Sequence, residues 1–459
     1  MVRGTGFKGS LLALRWLRSR RFAATFIILL ISALVIGTVI PQRSGMSGAE
    51  LFRFRSNHPG IYRVIRSSGL DHVYTTWWFL VIAGFFSANI ALNLSGRIKI
   101  SVKQFKEEGI PGPERIGRLN LSRTFVLDRE ARESVKGKIR DIVSEDGYRV
   151  KEYPEGLSAS KGRWGLWTVP LFHGSILIIL TGVLISSLTK FGGTFEISEG
   201  QVFSGKKDEF ISKDYGLLNL EPRFDFHLRL RKFNAEYWDA EHPRLYQSVM
   251  DVYKKGVVVL SKKVEINEPL RYEGLSFYQS KYHGYSAYFG LMEKGGGPET
   301  GGYVNFPYKK RYTGRLTQKF HIPQTSYECE LGLDPPDGNE LDIKVSDKGK
   351  VIRTGRLKRG GKIDIGRYYL VFHDIVKWTG LYVKRDYGVP VVYTGFVLLV
   401  LSVFMVVFIV PKRVWFVYDK DRIFIGAMAM RTSAAFKEEF EDIIARACPE
   451  MNNKEGGTP

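Results

Sequence analysis

Four stretches of the chain, residues 22–40, 75–94, 169–188 and 389–410, carry almost no charge over about 20 residues each. That is the length a helix needs to cross roughly 30 Å of hydrocarbon, so four membrane-spanning helices are expected. Arg15, Arg18, Arg20 and Arg21 precede the first stretch, as basic residues precede a secretory leader. A leader, however, has an apolar core of roughly 7–15 residues followed by small residues. Here the core is longer and ends in Pro41-Gln42-Arg43, which predicts an uncleaved span.

Lysine and arginine are retained on the cytoplasmic side of a membrane. Arg97, Lys99, Lys103 and Lys106 follow the second span, and Lys412 and Arg413 follow the fourth. With the basic N-terminus, they place both chain ends inside, although Arg43, Arg53, Arg55, Arg63 and Arg66 blur the signal in the first loop. The expected order is a cytoplasmic N-terminus (1–21), an external loop (41–74), a cytoplasmic loop domain (95–168), an extracytoplasmic domain (189–388) and a cytoplasmic tail (411–459).

Between the third and fourth spans the pattern changes period. Phe224, Phe226, Leu228 and Leu230 alternate with Asp225, His227, Arg229 and Arg231, which is the signature of a strand with one face packed and one in water. Further strands are predicted within 248–266, 276–282, 285–292 and 368–375, with turns at Gly295-Gly296-Gly297, Pro335-Pro336-Asp337-Gly338 and Gly360-Gly361. The fold class expected is a polytopic α-helical membrane protein. It has four transmembrane helices and a large β-rich extracytoplasmic domain, a sandwich or open barrel, between helices 3 and 4. In the cytoplasmic loop, 124–127 reads as a strand, 129–145 as an amphipathic helix and 148–153 with 157–161 as a hairpin, forming a small α/β unit. In the tail, Phe436, Phe440, Ile443 and Ile444 recur at helical spacing over 432–447, predicting an amphipathic helix on the membrane face or on the loop domain.

Composition narrows the chemistry. The chain has 459 residues, a formal net charge of +21 and two cysteines. Cys329 and Cys448 fall on opposite sides of the expected membrane and cannot pair, and no Cys-x-x-Cys is present, so neither thioredoxin-type redox chemistry nor a thiolate zinc site is expected. The positive charge is dispersed, which suits anionic lipid headgroups and gives no footprint for nucleic acid. No Ser-His-Asp set or phosphate-binding glycine loop is found, and Glu438-Glu439 and Glu441-Asp442 read as the solvated face of the tail helix.

The run Asn267-Glu268-Pro269-Leu270-Arg271-Tyr272-Glu273-Gly274-Leu275-Ser276-Phe277-Tyr278-Gln279-Ser280 resembles the signature of the ResB family of cytochrome c biogenesis proteins. The likeness extends through Tyr74-Thr75-Thr76-Trp77-Trp78-Phe79 at the second span and Leu171-Phe172-His173-Gly174 with Ile178, Leu180, Thr181 and Gly182 at the third. Gly200, Gly380-Leu381, Asp386-Tyr387-Gly388-Val389-Pro390 at the fourth span and Arg413-Val414-Trp415 complete it. The resemblance implies a subunit of the system II cytochrome c maturation complex in the bacterial inner membrane. Its partners would be a ResC/CcsA-type haem-handling membrane protein, apocytochrome c and a thioredoxin-like thiol reductant. Haem b would be cargo in transit, to be joined to the Cys-x-x-Cys-His of the apocytochrome. The tryptophan-rich motif of the external haem platform belongs to the partner and is missing here, so the chain alone is not expected to be a complete synthase.

Two histidines are candidate haem-iron ligands. His173 lies about four residues into the third span, where an ionisable side chain is costly unless it serves a function, and a neutral imidazole can ligate haem iron. The alternative is an interfacial histidine bonded to a carbonyl or water. His72 precedes the second span, although the family often has its histidine nearer the tryptophan pair, where Thr75 and Thr76 stand here. Gly174, Gly182 and Ser186 share one side of the third span and suit close helix approach, to the partner or within the chain. His227, His242, His283, His321 and His373 show no metal-ligand spacing and read as surface or structural residues. The external strands suit capture of an unfolded apocytochrome segment by strand addition. A transporter fits poorly, since the four spans have few buried polar groups (Asn89, Asn93 and His173) and no broken-helix repeat. A membrane-anchored sensor lacks a recognisable output domain.

Overall fold

A computed structural model describes residues 15–40, 55–106, 109–126, 131–238, 243–308, 315–323, 325–334, 340–430 and 434–447. His242, Cys448 and the turn at residues 335–338 lie outside them. Seven longer helices, beside a short one at Pro113–Gly117, organise the described chain: α1 (Arg20–Val39), α2 (Pro59–Ser68), α3 (Trp77–Lys106), α4 (Ala131–Glu145), α5 (Thr168–Thr189), α6 (Gly388–Phe408) and α7 (Ala434–Ala447). Four of them, α1, α3, α5 and α6, are long and apolar enough to cross a bilayer, which makes this a multi-pass membrane protein. The chain divides into two compact units, 1–185 with 388–459, and 186–387.

In the first unit the spanning helices meet where side chains are smallest. A Cβ at Gly182 of α5 would lie 2.7 Å from the Val392 side chain, and one at Gly395 of α6 would lie 2.6 Å from Ile179. Small residues let backbones approach in lipid, where dispersion rather than the hydrophobic effect drives packing. Gly182 therefore serves packing within the chain. The asparagines of the second span are satisfied too: Asn89 donates to the Leu17 carbonyl and Asn93 to the Asn89 carbonyl at 3.0 Å, while Arg18 reaches the Leu92 carbonyl at 3.0 Å. Helix α3 continues twelve residues beyond its apolar stretch, and Ser101 near its end bonds the Leu166 carbonyl at 2.8 Å.

The loop and the tail together build one domain. Strands β1 (Leu121–Val126), β2 (Arg149–Tyr153) and β3 (Gly156–Lys161) come from the loop. Later in the chain, a tail hairpin of Lys412–Asp419 and Arg422–Ala429 inserts between β1 and β3, completing a five-stranded antiparallel sheet. The tail was expected to supply only a helix. The hairpin was hidden because Val414, Trp415, Phe416 and Val417 are all buried, so a strand covered on both faces reads as an unbroken apolar run trailing a span. Helix α7 packs on the loop domain, with Phe436, Phe440, Ile443 and Ile444 against Ile139 and Val143 of α4. Phe440 is fully buried, so Phe440→Ala is expected to destabilise this domain by about 3–5 kcal/mol, read as a lower denaturant midpoint for tryptic release of the tail.

The second unit is β-rich and contains no closed barrel. Its strands are β4 (Phe191–Ser198), β5 (Val202–Phe203), β6 (Ser212–Tyr215), β7 (His227–Tyr237), β8 (Pro243–Lys254), β9 (Val257–Val264), β10 (Leu270–Tyr272) and β11 (Leu275–Glu293). There follow β12 (Thr300–Pro307), β13 (Leu316–His321), β14 (Tyr327–Leu333), β15 (Glu340–Asp347), β16 (Lys350–Lys358), β17 (Lys362–Ile365) and β18 (Tyr368–Arg385). Long β11 and β18 pair antiparallel and form the spine of a seven-stranded sheet, flanked by four-stranded sheets β5-β7-β8-β9 and β13-β14-β15-β16. The alternation at 224–231 is realised as expected: Phe226, Leu228 and Leu230 are buried, while His227 and Arg229 are exposed. Phe195, Phe277 and Leu381 join them in one core, and Phe289, Leu331, Ile343 and Phe372 form a second. Cys329 is buried in the second core and its thiol is pushed up to about 12 by burial, which fits a structural role.

Candidate functional site

The signature run folds as a hairpin. Tyr272 pairs with Leu275, so Glu273 and Gly274 form a two-residue loop, and both take positive φ (46° and 75°), the geometry of a type I′ turn. Glycine adopts this freely and fits the second position. Leu270, Leu275 and Phe277 point into the core. Gln279, also buried, ties three strands together. It accepts from Ser248 of β8 at 2.6 Å and donates to Thr379 of β18 at 2.6 Å and to the Ser280 carbonyl at 2.9 Å. The signature thus carries the fold of its domain rather than a reactive group.

His173 sits in the second turn of α5, half-buried, with its ring edge-on to Phe172. Its Nδ1 is 2.9 Å from the Val169 carbonyl, one helical turn earlier. A carbonyl only accepts, so the proton resides on Nδ1 and the Nε2 lone pair is left for another group. Among the described residues Nε2 has no hydrogen-bond partner. This is how metal-binding histidines are set up, with one nitrogen fixing tautomer and ring while the other coordinates. The neighbouring Gly174 faces Leu94 of α3, whose side chain would lie 3.9 Å from an added Cβ.

His72 lies in a 3-10 turn, Leu70–Thr75, between α2 and α3, and its own backbone (φ −150°, ψ 45°) breaks the helical path. Its Nδ1 is 2.6 Å from Oδ1 of Asp71, a carboxylate that is almost fully buried while the imidazole is 41% exposed. Asp71 therefore anchors the ring through Nδ1 and leaves Nε2 as the acceptor, the carboxylate–histidine arrangement that orients metal-ligating histidines. The Asp-His dipeptide was the available sign of this pairing, and sequence reasoning passed over it.

The structure separates the two histidines. Val73, next to His72, is buried beside Ala33 and Phe79, with Val183 of α5 packed against them. Val183 is ten residues, about 15 Å along the helix axis, from His173. Metal–nitrogen bonds are about 2 Å, so two axial ligands of one iron lie about 4 Å apart. One haem cannot be held by both side chains in this arrangement. Two sites at opposite ends of the spans can be.

In the second unit, His227 and His321 are exposed and His373 contacts Glu299. His283 donates from Nδ1 to the Lys281 carbonyl at 3.0 Å, and its Nε2 accepts from the Tyr237 hydroxyl at 2.6 Å, among the rings of Phe233, Tyr246 and Tyr308. Burial pushes its pKa below the usual 6.5. A base depressed in the folded state contributes stability above the unfolded pKa that is lost as pH falls towards the folded one. Acidification below 6.5 should therefore destabilise the native domain more than His283→Gln, as read by denaturant midpoints at two pH values. Among the described residues, no cluster of three metal-ligating side chains occurs.

The chain has relatives along nearly its whole length. It is 26% identical to the cytochrome c biogenesis protein CcsB of Picosynechococcus sp. over 449 residues, covering 94% of this chain and 90% of that protein. It is 24% identical to cytochrome c biogenesis protein Ccs1 of Porphyra purpurea, covering 95% and 96%, and 27% identical to CcsB of Nostoc sp., covering 93% and 90%. A model of the ResB-like family matches residues 20–364 and 340–441, and on that match the chain belongs to the ResB-like family.

Proposed function

We propose that this chain is the ResB-type subunit of a system II cytochrome c maturation complex. It acts with a ResC/CcsA-type partner to move haem b across the membrane and present it for covalent attachment to apocytochrome c. The names of its relatives support the maturation role. The observation that carries haem handling is His173, whose Nδ1 is tied to its own helix and whose Nε2 is left for iron. Haem is cargo here. His173 would supply one axial nitrogen on the cytoplasmic side, and the second would come from a partner helix, because His72 is too far along the bundle. His72, held by Asp71, is the ligand candidate on the outer side. A thioredoxin-like reductant would keep the apocytochrome thiols free, since this chain has no Cys-x-x-Cys.

The reading places the protein in the cytoplasmic membrane with both termini inside and residues 189–388 outside. Deleting its gene should abolish covalently bound haem in all c-type cytochromes, seen by haem staining of denaturing gels, while b-type spectra persist. Intact c-type cytochromes in the deletion strain would overturn the proposal. A transporter or sensor role does not predict that loss.

A further inference from the structure

Strand β12 leaves one side of its backbone unpaired. The Tyr308 N–H donates to the His283 carbonyl at 2.9 Å, and residue 308 stands opposite 283 in the β11–β12 register. Hydrogen-bonded pairs alternate along an antiparallel ladder, so 300, 302, 304 and 306 bond to β11. Gly301, Tyr303 and Asn305 therefore turn their N–H and C=O groups the other way, where among the described residues no strand pairs with them. Pro307, next in that phase, has no N–H to offer and ends the row. Proteins guard such edges with charge, proline or bulges. Edge strand β16 does so with Lys350, Arg353, Arg356 and Lys358, whereas the outward positions of β12 carry no charge until Pro307.

Alongside this edge runs a cleft of about 730 Å³. Phe289, Leu291, Phe320 and Leu370 line one side and Tyr303 and Glu196 the other. The alternation of β12 explains the two linings, since Val304 and Phe306 enter the apolar core while Tyr303 and Asn305 face away from it. The Asn305 amide donates to Glu196 Oε2 at 2.7 Å and is itself fixed by a bond from the buried Ser286 hydroxyl at 2.7 Å, so the carboxylate is held in place. Burial raises the Glu196 pKa, while the bond from Asn305 works the other way.

We infer that this cleft receives an extended segment of the client polypeptide as an added strand on β12, with apolar side chains on the Phe289 side and a basic side chain opposite Glu196. The inference rests on the maturation reading, which supplies an unfolded client, and adds to it where the client binds. The row of free backbone groups matches about six extended residues, roughly 20 Å. Backbone pairing gives affinity with little demand on sequence, and a cationic residue at Glu196 fixes the register.

The test uses the full chain in detergent and a fluorescent ten-residue peptide carrying Ser-x-x-Ser-His and one lysine. Two further peptides are N-methylated at alternate backbone nitrogens, in opposite phases. Binding should fall at least roughly tenfold for one phase and persist for the other, because only one set of N–H groups faces β12. Glu196→Gln should weaken the unmodified peptide by roughly tenfold, and Tyr303→Pro, which removes an outward N–H but none bonded to β11, should weaken it similarly. Equal binding of both methylated peptides, or no binding of any peptide, overturns the inference. Neither result touches the maturation reading, which is decided separately by c-type haem staining in the deletion strain.

Discussion

Replacing His173 with alanine should strip haem from the complex purified with the proposed ResC/CcsA-type partner, seen as loss of the Soret band relative to protein. His173→Gly with added imidazole should restore it. The reasoning is local. With Nδ1 committed to the Val169 carbonyl, Nε2 is the atom the side chain can offer iron, and alanine removes it. Losing a partner that merely supports a metal ligand costs roughly 10–100-fold in affinity, so losing the ligand should cost more. Imidazole in the glycine cavity replaces the nitrogen without the tether, and rescue separates ligation from packing. His72→Ala should leave the His173-dependent band in place, because the sites are separated along the bundle and sites so far apart act independently. Unchanged haem in His173→Ala would make His173 a packing residue and leave haem binding to the partner.

The spans were legible because charge is excluded from them for about 20 residues at a time, a signal no other element imitates. The strand that begins at His227 was legible in the alternation over 224–231 because one face is wet. The tail hairpin was not, since Trp415 and Val417 are covered by Ile116 on one face while Val414 and Phe416 are covered by α7 and α4 on the other. Alternation disappears when both faces are dry. For the site, sequence could single out His173 as an imidazole in lipid, but not that its Nδ1 is spoken for. Nor could it reveal that His72 lies beyond reach of the same iron, since separation along a bundle depends on which residues of different helices stand level. The tautomer and the distance are tertiary facts. The Glu196–Asn305–Ser286 chain joins positions far apart in sequence and left no local trace at all.

Gln279→Leu should unfold the second unit at a lower temperature while leaving in place the haem proposed for His173. Leucine keeps most of the volume but leaves the Ser248 and Thr379 hydroxyls, both fully buried, without the amide they now share. Losing a buried hydrogen-bond partner costs about 1–3 kcal/mol, and Thr379 keeps only long contacts of 3.4 Å to the Tyr282 and Gly380 carbonyls, so a total of about 3 kcal/mol is expected. For a domain of about 200 residues that corresponds to a fall of roughly 6–12 °C in midpoint. Cys329 gives a direct readout, because it is buried in this unit and its thiol becomes reactive on exposure. In a Cys448→Ser background, maleimide labelling against temperature should shift by that amount. An unshifted labelling curve together with lost cytochrome c maturation would mean that Gln279 acts on client or partner, and that the signature hairpin does more than hold its domain together. A shifted curve with haem retained on the complex would place the signature where the hydrogen bonds put it. It would then be the clasp that joins β8, β11 and β18 and lets the domain stand.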